Sequence, residues 1–353
     1  MSARPSSNCL PLVTKRRLTD KPCGKKTSEF RQFLKSCNPV MHKLIFTSIL
    51  AATCAGILPA KPKAGSVTLV KGDVAVTVKV DGKLFTKYVY ADEKRAKPIL
   101  YPVIGPNEIP MTRRYPIEEA GEGEAKDHPH HASLWYTHGE VNGISFWHVG
   151  KNTGEIVHEK FLKLEGNVIA TRNKWVDAED KVVCHDERTL AFFGEGDDRA
   201  VDVTVKILAD SGDVTFGDTK EGSMGIRSNP SLRLKGPVAK GKAVNSEGVE
   251  GRAVWGKRAA WVSYWAPVEM NVIGFSIFDH PTNPRHPTWW HARDYGLVAA
   301  NPFGIHNFER KPKGTGDLKI KDGETVTFRY RFLFHAGDVK SAGIAKRYEA
   351  WGK

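Results

Sequence analysis

The fold is decided by the stretch VAVTVKVDGKLFTKYVY at residues 74–90. Its valines at 74, 76, 78 and 80 alternate with small or polar residues, which is the pattern of a strand with one buried face. Asp81-Gly82 separates this run from a second one, and Asp-Gly is favoured in two-residue hairpin turns because both positions adopt a positive φ. The stretch therefore predicts an antiparallel β-hairpin.

Outward from this hairpin, the same period of two recurs along most of the chain. Apolar residues alternate from Val201 to Ile207, and again from Val326 to Phe334 after Asp322-Gly323, which predicts a second hairpin turn. Further strands are predicted at 154–170, 172–193, 213–218, 260–265 and 270–278. Many short strands with Gly and Pro turns predict an all-β fold, a large antiparallel sandwich of two sheets.

Two kinds of segment depart from this pattern. At the C-terminus, Asp338 is placed to cap a short helix that runs through Ile344 to Trp351. Residues 91–150 and 279–316 show little regular pattern and are rich in Pro, Gly and His. Long irregular segments in a compact β domain are usually functional loops, so we expect the functional site there.

The charge of the chain is concentrated at its N-terminus. The formal net charge is +13, and residues 1–60 hold ten Lys/Arg against Asp20 and Glu29, a net of +8 that leaves +5 for residues 61–353. No basic helix or RNA-binding aromatic motif appears in the sequence. The composition therefore argues against a nucleic acid partner.

Residues 41–60 have the composition of a secretory signal peptide, with a positive start, an apolar stretch and a small residue at Ala60. We expect residues 1–40 to be an upstream extension, with translation starting at Met41. Residues 61–353 should then form one exported domain, periplasmic or extracellular, with no stable membrane span after signal removal. A basic extension before a membrane anchor is the alternative.

Two histidine-rich segments lie in the irregular regions. The first histidine segment is Asp127-His128-Pro129-His130-His131, and the second is DHPTNPRHPTWWH at residues 279–291. Imidazoles and carboxylates beside tryptophans are typical of a polar pocket with aromatic walls, which suits a small hydroxyl-rich molecule. We expect both segments and Glu221 to converge at one mouth of the sandwich. His280 and His286, each followed by proline, suit structural turns better than a site.

Proton transfer on a sugar is one chemistry that these residues suit. Histidine titrates near neutrality, so His130 and His131 with the Glu221 carboxylate can donate and accept protons at different sugar oxygens. These three are the candidate catalytic residues. Candidate substrate-binding residues, among which the arginine can hold a carboxylate or a hydroxyl group, are His128, Arg227, Asn283, Trp290 and His291.

A metal site is the alternative use of the same side chains. In extended backbone His128 and His130 share a face, and further ligands would have to come from His286, His291 or Glu221. Zinc and calcium both suit parts of this set. No cofactor is therefore certain, and a divalent metal stays open.

Several longer motifs resemble one known family. They are Tyr115-Pro116, Asp127 to His131, Gly139 to Gly143 with Phe146-Trp147, Asp218 to Gly222, Asp279 to Pro284, Trp290-His291, Tyr295-Gly296 and Asn301 to Gly304. In these motifs the chain resembles the bacterial "PmoA family" proteins, a domain family of unknown function frequent in Planctomycetes. It is also similar in character to the galactose-mutarotase-like β-sandwiches, which implies a mutarotase-like sandwich in which two histidines and a carboxylate act on a sugar.

Two functions follow from this reading. The first is an exported carbohydrate-active enzyme that transfers protons on a sugar, as a mutarotase, epimerase or lyase does. The second is a non-catalytic glycan-binding protein of the cell envelope. Amides, carboxylates and aromatic rings bind sugars well without histidine, so the number of histidines favours the enzyme.

Overall fold

The computed structural model of the protein describes residues 64–353. The extension expected at residues 1–40 and the signal peptide expected at 41–60 lie outside the described residues. The described chain forms two eight-stranded antiparallel sheets, one two-stranded sheet and two short α-helices. Among residues 64–353, no helix combines the length and the hydropathy that crossing a membrane requires.

The first large sheet, sheet I, is formed mainly by the N-terminal strands. In spatial order its strands are β1 (Val67–Lys71), β2 (Ala75–Val80), β3 (Lys83–Val89), β4 (Ile99–Val103), β5 (Leu134–His138), β11 (Gly222–Arg227), β16 (Leu297–Asn301) and β15 (Trp289–Ala292). Each pair of neighbouring strands is antiparallel.

The second large sheet, sheet II, contains the longest strands. In spatial order they are β12 (Lys242–Asn245), β13 (Trp261–Val268), β14 (Asn271–Asp279), β18 (Thr325–Ala336), β9 (Asp198–Leu208), β8 (Val182–Glu195), β7 (Val168–Val176) and β6 (Glu155–Glu165). The remaining elements are β10 (Val214–Phe216) paired with β17 (Leu318–Ile320), helix α1 (Ile305–Glu309) and helix α2 (Ile344–Trp351).

The two large sheets bury their apolar faces against each other. Val76 and Val80 of β2 are fully buried, and the ring of Phe85 meets that of Phe192 edge-on at 5.9 Å between centroids. β2 pairs with β3 across Asp81-Gly82, as the alternating valines predict. The antiparallel two-sheet sandwich with a short C-terminal helix is therefore confirmed.

The C-terminal helix begins later than its sequence signal predicts. The Asp338 carboxylate accepts hydrogen bonds from the backbone amides of Lys340 and Ser341, so it caps a turn and not the helix. Gly343 follows in the left-handed region with a φ of 62°, and α2 begins at Ile344. A left-handed residue cannot continue a right-handed helix, which separates the turn from α2.

The hairpin predicted at Asp322-Gly323 is wrong. The strand before this turn, β17, pairs with β10, whereas β18 after it pairs with β9 and β14. The turn thus leads the chain from the small sheet into sheet II. The predicted strand at 154–170 is likewise divided, because Gly166 turns the chain between β6 and β7 with a φ of 58°.

The two regions expected to be irregular each supply two strands of sheet I. Residues 91–150 contain β4 and β5, and residues 279–316 contain β15 and β16. Every residue of β5, β15 and β16 is buried, so these strands are packed on both faces. Strands covered on both faces lack the alternation of apolar and polar residues by which the others were recognised.

Candidate functional site

Four strands of sheet I align a row of side chains on the face turned away from sheet II. The strand register pairs Trp135 with Gly225, Gly225 with Ala299, and Ala299 with His291. The adjacent Met224 belongs to the core between the sheets, so the alternating neighbours in this row face outward. Neighbouring strands lie about 4.8 Å apart, which puts the backbones of Trp135 and His291 about 14 Å apart.

Small residues form the middle of this row. A Cβ atom on Gly225 would lie 3.1 Å from a ring atom of Trp135 and 3.6 Å from the Cβ of Ala299. The Trp135 ring therefore lies over the glycine, where a larger side chain would displace it. Gly225 and Ala299 form a low floor between the indole at one end of the row and the imidazole of His291 at the other.

The first histidine segment folds over this floor as a tight turn. The amide of His131 donates to the carbonyl of His128 at 2.9 Å, and His128 has a left-handed φ of 44°. His131 stacks on Trp135 at 5.6 Å between centroids, and His128 stacks on His131 at 4.9 Å and on Tyr295 at 5.2 Å. His130 meets His131 edge-on at 4.4 Å. The turn thus gathers all three imidazoles.

Two buried arginines hold this segment in place. Arg113 donates to Asp127 at 2.7 Å and to the backbone carbonyls of Asp127 and His128, and Arg227 donates to the same Asp127 oxygen at 2.8 Å. Burial, together with the charge of Arg113, lowers the pKa of Arg227 to about 10. Arg227, which was predicted to bind substrate, therefore lies in the site, but its guanidinium is already paired with the Asp127 carboxylate.

Arg227 also determines which nitrogen of His131 carries the proton. Its Nη1 lies 3.1 Å from Nδ1 of His131, and because a guanidinium can only donate, Nδ1 accepts and Nε2 is protonated. Within residues 64–353 this buried Nε2 has no hydrogen-bond partner. Burial, followed by the charges of His130 and Arg227, lowers the pKa of His131 well below its usual value. His131 is thus a neutral imidazole with an unused N–H donor.

Within the first histidine segment, the His130 ring lies next to the loop that follows β5. Its ring centroid is 4.8 Å from that of His148 and 6.4 Å from that of Trp147. Burial lowers the pKa of His130 to about 3, the charges of His148 and Lys97 act in the same direction, and the charge of Glu221 opposes them. The structure therefore brings His130 within electrostatic reach of Glu221.

Glu221 lies immediately before β11 and is partly accessible, with its side chain 19% exposed. Burial raises the pKa of its carboxyl, but the hydrogen bond from Lys220 and the charges of His291 and His148 outweigh burial, so that the pKa is lowered. Glu221 is therefore a carboxylate at neutral pH, and its charge couples to those of His130, His148 and His291, which come from three parts of the chain.

His291 closes the far end of the row with the opposite hydrogen-bonding character. Its Nδ1 is buried and has no partner in the described part of the chain. Burial lowers the pKa of His291 to about 4, and Glu221 and a hydrogen bond to the Lys220 backbone oppose this shift. Because a neutral ring that donates to a carbonyl through one nitrogen keeps a lone pair on the other, His291 presents an acceptor where His131 presents a donor.

Only part of the second histidine segment lies at the site. Asn283 is buried, and its amide is used by Asp279 and by the Arg329 backbone at 2.7–2.8 Å. Trp290 is fully buried between the sheets, where its indole N–H donates to the carbonyl of Ala259. The structure therefore places these two predicted substrate-binding residues in structural roles, and of this segment it brings His291 to the row.

The histidines before each proline lie at the C-terminal helix. His286 Nδ1 is 2.7 Å from the buried Asp279 carboxylate, and its Nε2 is 3.4 Å from the Tyr348 hydroxyl. The His280 ring lies 5.0 Å from that of Trp351. The convergence predicted for the two segments is thus partial, since only the end of the second segment reaches the first.

Several residues of the site were not among its predicted members. They are Lys97, His148, Lys220 and Tyr295. His148 follows Trp147 in the same histidine-rich stretch and could have been included on that ground, whereas Lys97 has no local signal. Within residues 64–353, no group of three or more His, Cys, Asp or Glu side chains is arranged to hold a metal ion.

Several solved structures are similar to this chain at low identity. A galactose mutarotase related enzyme from Lactobacillus acidophilus is 10% identical, with a TM-score of 0.31 and coverage of 76% of this chain and 97% of that one. A GH36 alpha-galactosidase from Geobacillus stearothermophilus is 10% identical, with a TM-score of 0.31 and coverage of 78% and 42%. A Glycoside Hydrolase Family 97 enzyme from Pseudoalteromonas sp. strain K8 is 11% identical, with a TM-score of 0.29 and coverage of 77% and 34%.

The chain spans less than half of the length of the latter two enzymes. No curated protein matches it. The sequence profile of a family of unknown function, DUF6807, matches residues 75–349, which is most of the chain and includes every residue of the site. The protein therefore belongs to the DUF6807 family of unknown function.

Proposed function

We propose that this protein transfers protons on a carbohydrate, as a mutarotase, epimerase or lyase does. The observation that carries the proposal is the gathering of the Glu221 carboxylate with imidazoles from three separate parts of the chain. In that group one ring has an unused donor and another has an unused acceptor. Proton transfer between two positions of a substrate needs such a pair on opposite sides of the reacting atoms.

Glu221 is the proposed base, because its lowered pKa keeps it ionised at neutral pH and its side chain is accessible from solvent. His131 is the proposed hydrogen-bond donor to a substrate oxygen, through the N–H on Nε2, and Arg227 fixes this tautomer by donating to Nδ1. The proton that moves is taken up and returned by Glu221. His130 lies beside both and is neutral above about pH 3. It is therefore suited to hydrogen bonding with a hydroxyl and less to carrying a full positive charge.

A sugar is the proposed substrate because the site combines flat rings with many hydrogen-bonding groups. His128 and Tyr295 are stacked and partly exposed, and they offer an apolar face next to polar edges. Hydroxyl groups of a sugar can satisfy the unpartnered nitrogens that burial otherwise makes costly.

The proposal is tested by incubating the parent protein, Glu221→Gln and His130→Gln with a panel of neutral and oxidised sugars. The measured quantity is the rate at which substrate protons exchange with deuterated solvent. Glu221→Gln should lose exchange by at least about a hundredfold, the usual contribution of a positioned acid or base, and His130→Gln should lose about tenfold, because His130 contributes a hydrogen bond. His280→Gln is the matched control, since this histidine lies at the C-terminal helix. Exchange that survives both site substitutions would remove these residues from the mechanism, and sensitivity to a chelator would favour metal ligation instead.

The alternative function is glycan binding without turnover. It is supported by the same stacked rings, which suit a sugar face whether or not a proton moves. Under this alternative the panel shows affinity for a glycan but no exchange in the parent protein. Glu221→Gln would then weaken binding, and exchange detected in the parent protein would exclude the alternative.

We also propose that the protein is exported and that its mature form begins shortly after Ala60. The positive start and the apolar stretch of residues 41–60 support this proposal. The likeness to the "PmoA family" proteins stays a prediction of the sequence motifs. Amino-terminal sequencing tests export, and residues 1–40 on the secreted product would contradict it.

A further inference from the structure

Lys97 is a buried lysine whose ammonium group is poorly compensated. The residue is 4% exposed and lies two positions before β4. Its Nζ donates one long hydrogen bond, 3.5 Å, to the carbonyl of Trp147. An ammonium has three donors and is strongly hydrated in water, so this environment leaves most of its hydrogen-bonding capacity unused.

The lysine lines a cavity of about 100 Å³ that also borders His130. The other polar side chains of the lining are Lys94 and Arg95, and no aspartate or glutamate of residues 64–353 takes part in it. Arg95 is compensated, since it forms an ion pair with Asp92 at 3.2 Å. Lys94 is exposed to solvent. Lys97 is therefore the one buried cation of this lining that no carboxylate of residues 64–353 balances.

The same environment lowers the pKa of Lys97. Burial, followed by the charge of Arg95, lowers the pKa of Lys97 to about 7. A buried ammonium without a partner is unfavourable, and an oxyanion at hydrogen-bonding distance would stabilise it. A ligand with a negative charge would therefore stabilise Lys97 in this cavity, because no carboxylate of residues 64–353 lines it.

We propose that this cavity binds the carboxylate of a sugar acid, with the sugar ring extending from it over His130 towards Glu221. This inference rests on the proposed function and names the substrate class of that same site. A volume of about 100 Å³ is well below the roughly 300–1,000 Å³ of pockets that enclose a whole ligand, so the cavity suits one group of a larger molecule. One uncompensated cation matches a singly charged carboxylate better than a phosphate dianion.

Arg227, which was predicted from the sequence as a possible partner of a substrate carboxylate, is not available for this role. Arg227 is already paired with Asp127 at 2.8 Å, and Arg113 binds the same carboxylate at 2.7 Å. Lys97 and His130 both line this cavity, and the charge of Lys97 lowers the pKa of His130. An acidic sugar bound at Lys97 would therefore contact the proposed proton-transfer residues through its ring.

The test compares pairs of sugars that differ only at carbon 6, which is a hydroxymethyl group in one and a carboxylate in the other. Glucuronate and glucose, and galacturonate and galactose, are titrated into the full chain by calorimetry, with acetate and inorganic phosphate as separate ligands. We expect each uronate to bind at least about tenfold more tightly than its neutral partner, which is the scale of one charge-assisted hydrogen bond. Equal binding of acidic and neutral sugars would overturn the proposal, and so would tighter binding of phosphate than of either uronate.

Lys97→Met should abolish the preference for the uronate, so that the uronate and its neutral partner bind this variant with the same affinity. The melting temperature should not fall, because the substitution removes a buried amine that lacks a counter-charge. Lys87→Met is the matched control: it makes the same change of net charge at an exposed position of β3, and it should keep the preference. A preference for the uronate that survives Lys97→Met would refute the assignment.

The same titrations separate failure of this inference from failure of the proposed function. Neutral sugars that bind and exchange protons as well as uronates would leave the proposed function intact and refute the carboxylate site. Acetate that binds in a Lys97-dependent manner, with no sugar bound or turned over, would support the anion cavity and contradict the carbohydrate function. Absence of binding by every ligand would overturn both.

Discussion

The two histidine segments look alike in sequence but take opposite roles in the structure. In residues 127–131 three imidazoles contact one another, and one of them keeps an unpartnered nitrogen. In residues 279–291 His280 and His286 are engaged by local groups and by helix α2, and only His291 reaches the site. Histidine density therefore did not distinguish a site from a structural turn.

The difference arises from what each segment is anchored to. Arg113 and Arg227, which lie on other parts of the chain, hold residues 127–131 mainly through backbone carbonyls and the Asp127 carboxylate. Their one ring contact, from Arg227 to Nδ1 of His131, leaves Nε2 of that ring without a partner in the described part of the chain. His286 is held through its own ring by Asp279, seven residues earlier, which consumes the nitrogen a site would need. Anchoring through the backbone frees side chains for a ligand, whereas anchoring through the side chain does not.

The largest expected effect concerns the neutral histidines buried in both sheets. Burial lowers the pKa of His138, His291 and His335 to about 4 in each case. The unfolded chain binds protons near pH 6.5, so between about pH 6.5 and 4 it holds more protons than the folded protein. Stability is therefore fully present above pH 6.5 and falls as the pH drops, by on the order of 5 kcal/mol at pH 4.5.

Denaturant unfolding at pH 7.5, 6.0, 5.0 and 4.5 measures this loss. His291→Gln should reduce the slope of stability against pH, because it removes one of the three depressed histidines. A free energy of unfolding that stays constant or increases as the pH falls would contradict the neutral, buried state of these rings.

The second expected effect tests the arginine contacts that hold the first segment in place. Arg227→Met removes a buried guanidinium from Asp127 and from Nδ1 of His131, and it should destabilise the protein by about 3 kcal/mol. Because Arg113 remains on Asp127, the fold should persist while ligand binding is lost. Thermal unfolding and calorimetry measure the two quantities, and unchanged sugar affinity in this variant would show that the segment is not the site.

A smaller effect is expected in the second segment. His286→Ala removes one hydrogen bond to the buried Asp279 carboxylate and the contact with Tyr348, which should cost about 2 kcal/mol. Ligand affinity should not change, because His286 lies at helix α2. The same two measurements apply, and a loss of affinity at full stability would mean that both segments bind the ligand.

The smallest effect is expected at His280. Its ring bonds Thr282 and meets Trp351 at the protein surface, so His280→Gln should alter stability by no more than about 0.5 kcal/mol. Affinity and proton exchange should both match the parent protein. A large change in either would contradict the division between the two segments.

Local patterns predicted the parts of the fold that depend on neighbours in sequence. The hairpin at residues 74–90 carries both its alternation and its turn in one stretch, and it was predicted correctly. Strands β15 and β16 carry neither, since they are buried on both faces, and their regions were expected to be loops. The hairpin at Asp322-Gly323 failed because strand pairing there is decided by distant partners.

The site could be predicted only as a list of residue types. Glu221 and His130 were predicted because an acidic turn residue and a histidine-rich loop both suit a pocket, and in the structure the charge of Glu221 raises the pKa of His130 against the effect of burial. Lys97 could not be found, since a lysine near a proline carries no local signal and its burial follows from packing against Trp147. Which histidines of the second segment join the site depends on the register of β15 with β16.

Histidine ring spectra of the ¹⁵N-labelled full chain, recorded during titration with glucose and glucuronate, test the central claim most directly. If the ligand binds where the first segment, Glu221 and His291 meet, the signals of His130, His131, His148 and His291 should shift together. The signals of His280 and His286 should stay in place. Shifts confined to His280 and His286, or shifts shared equally by all of these rings, would contradict the site.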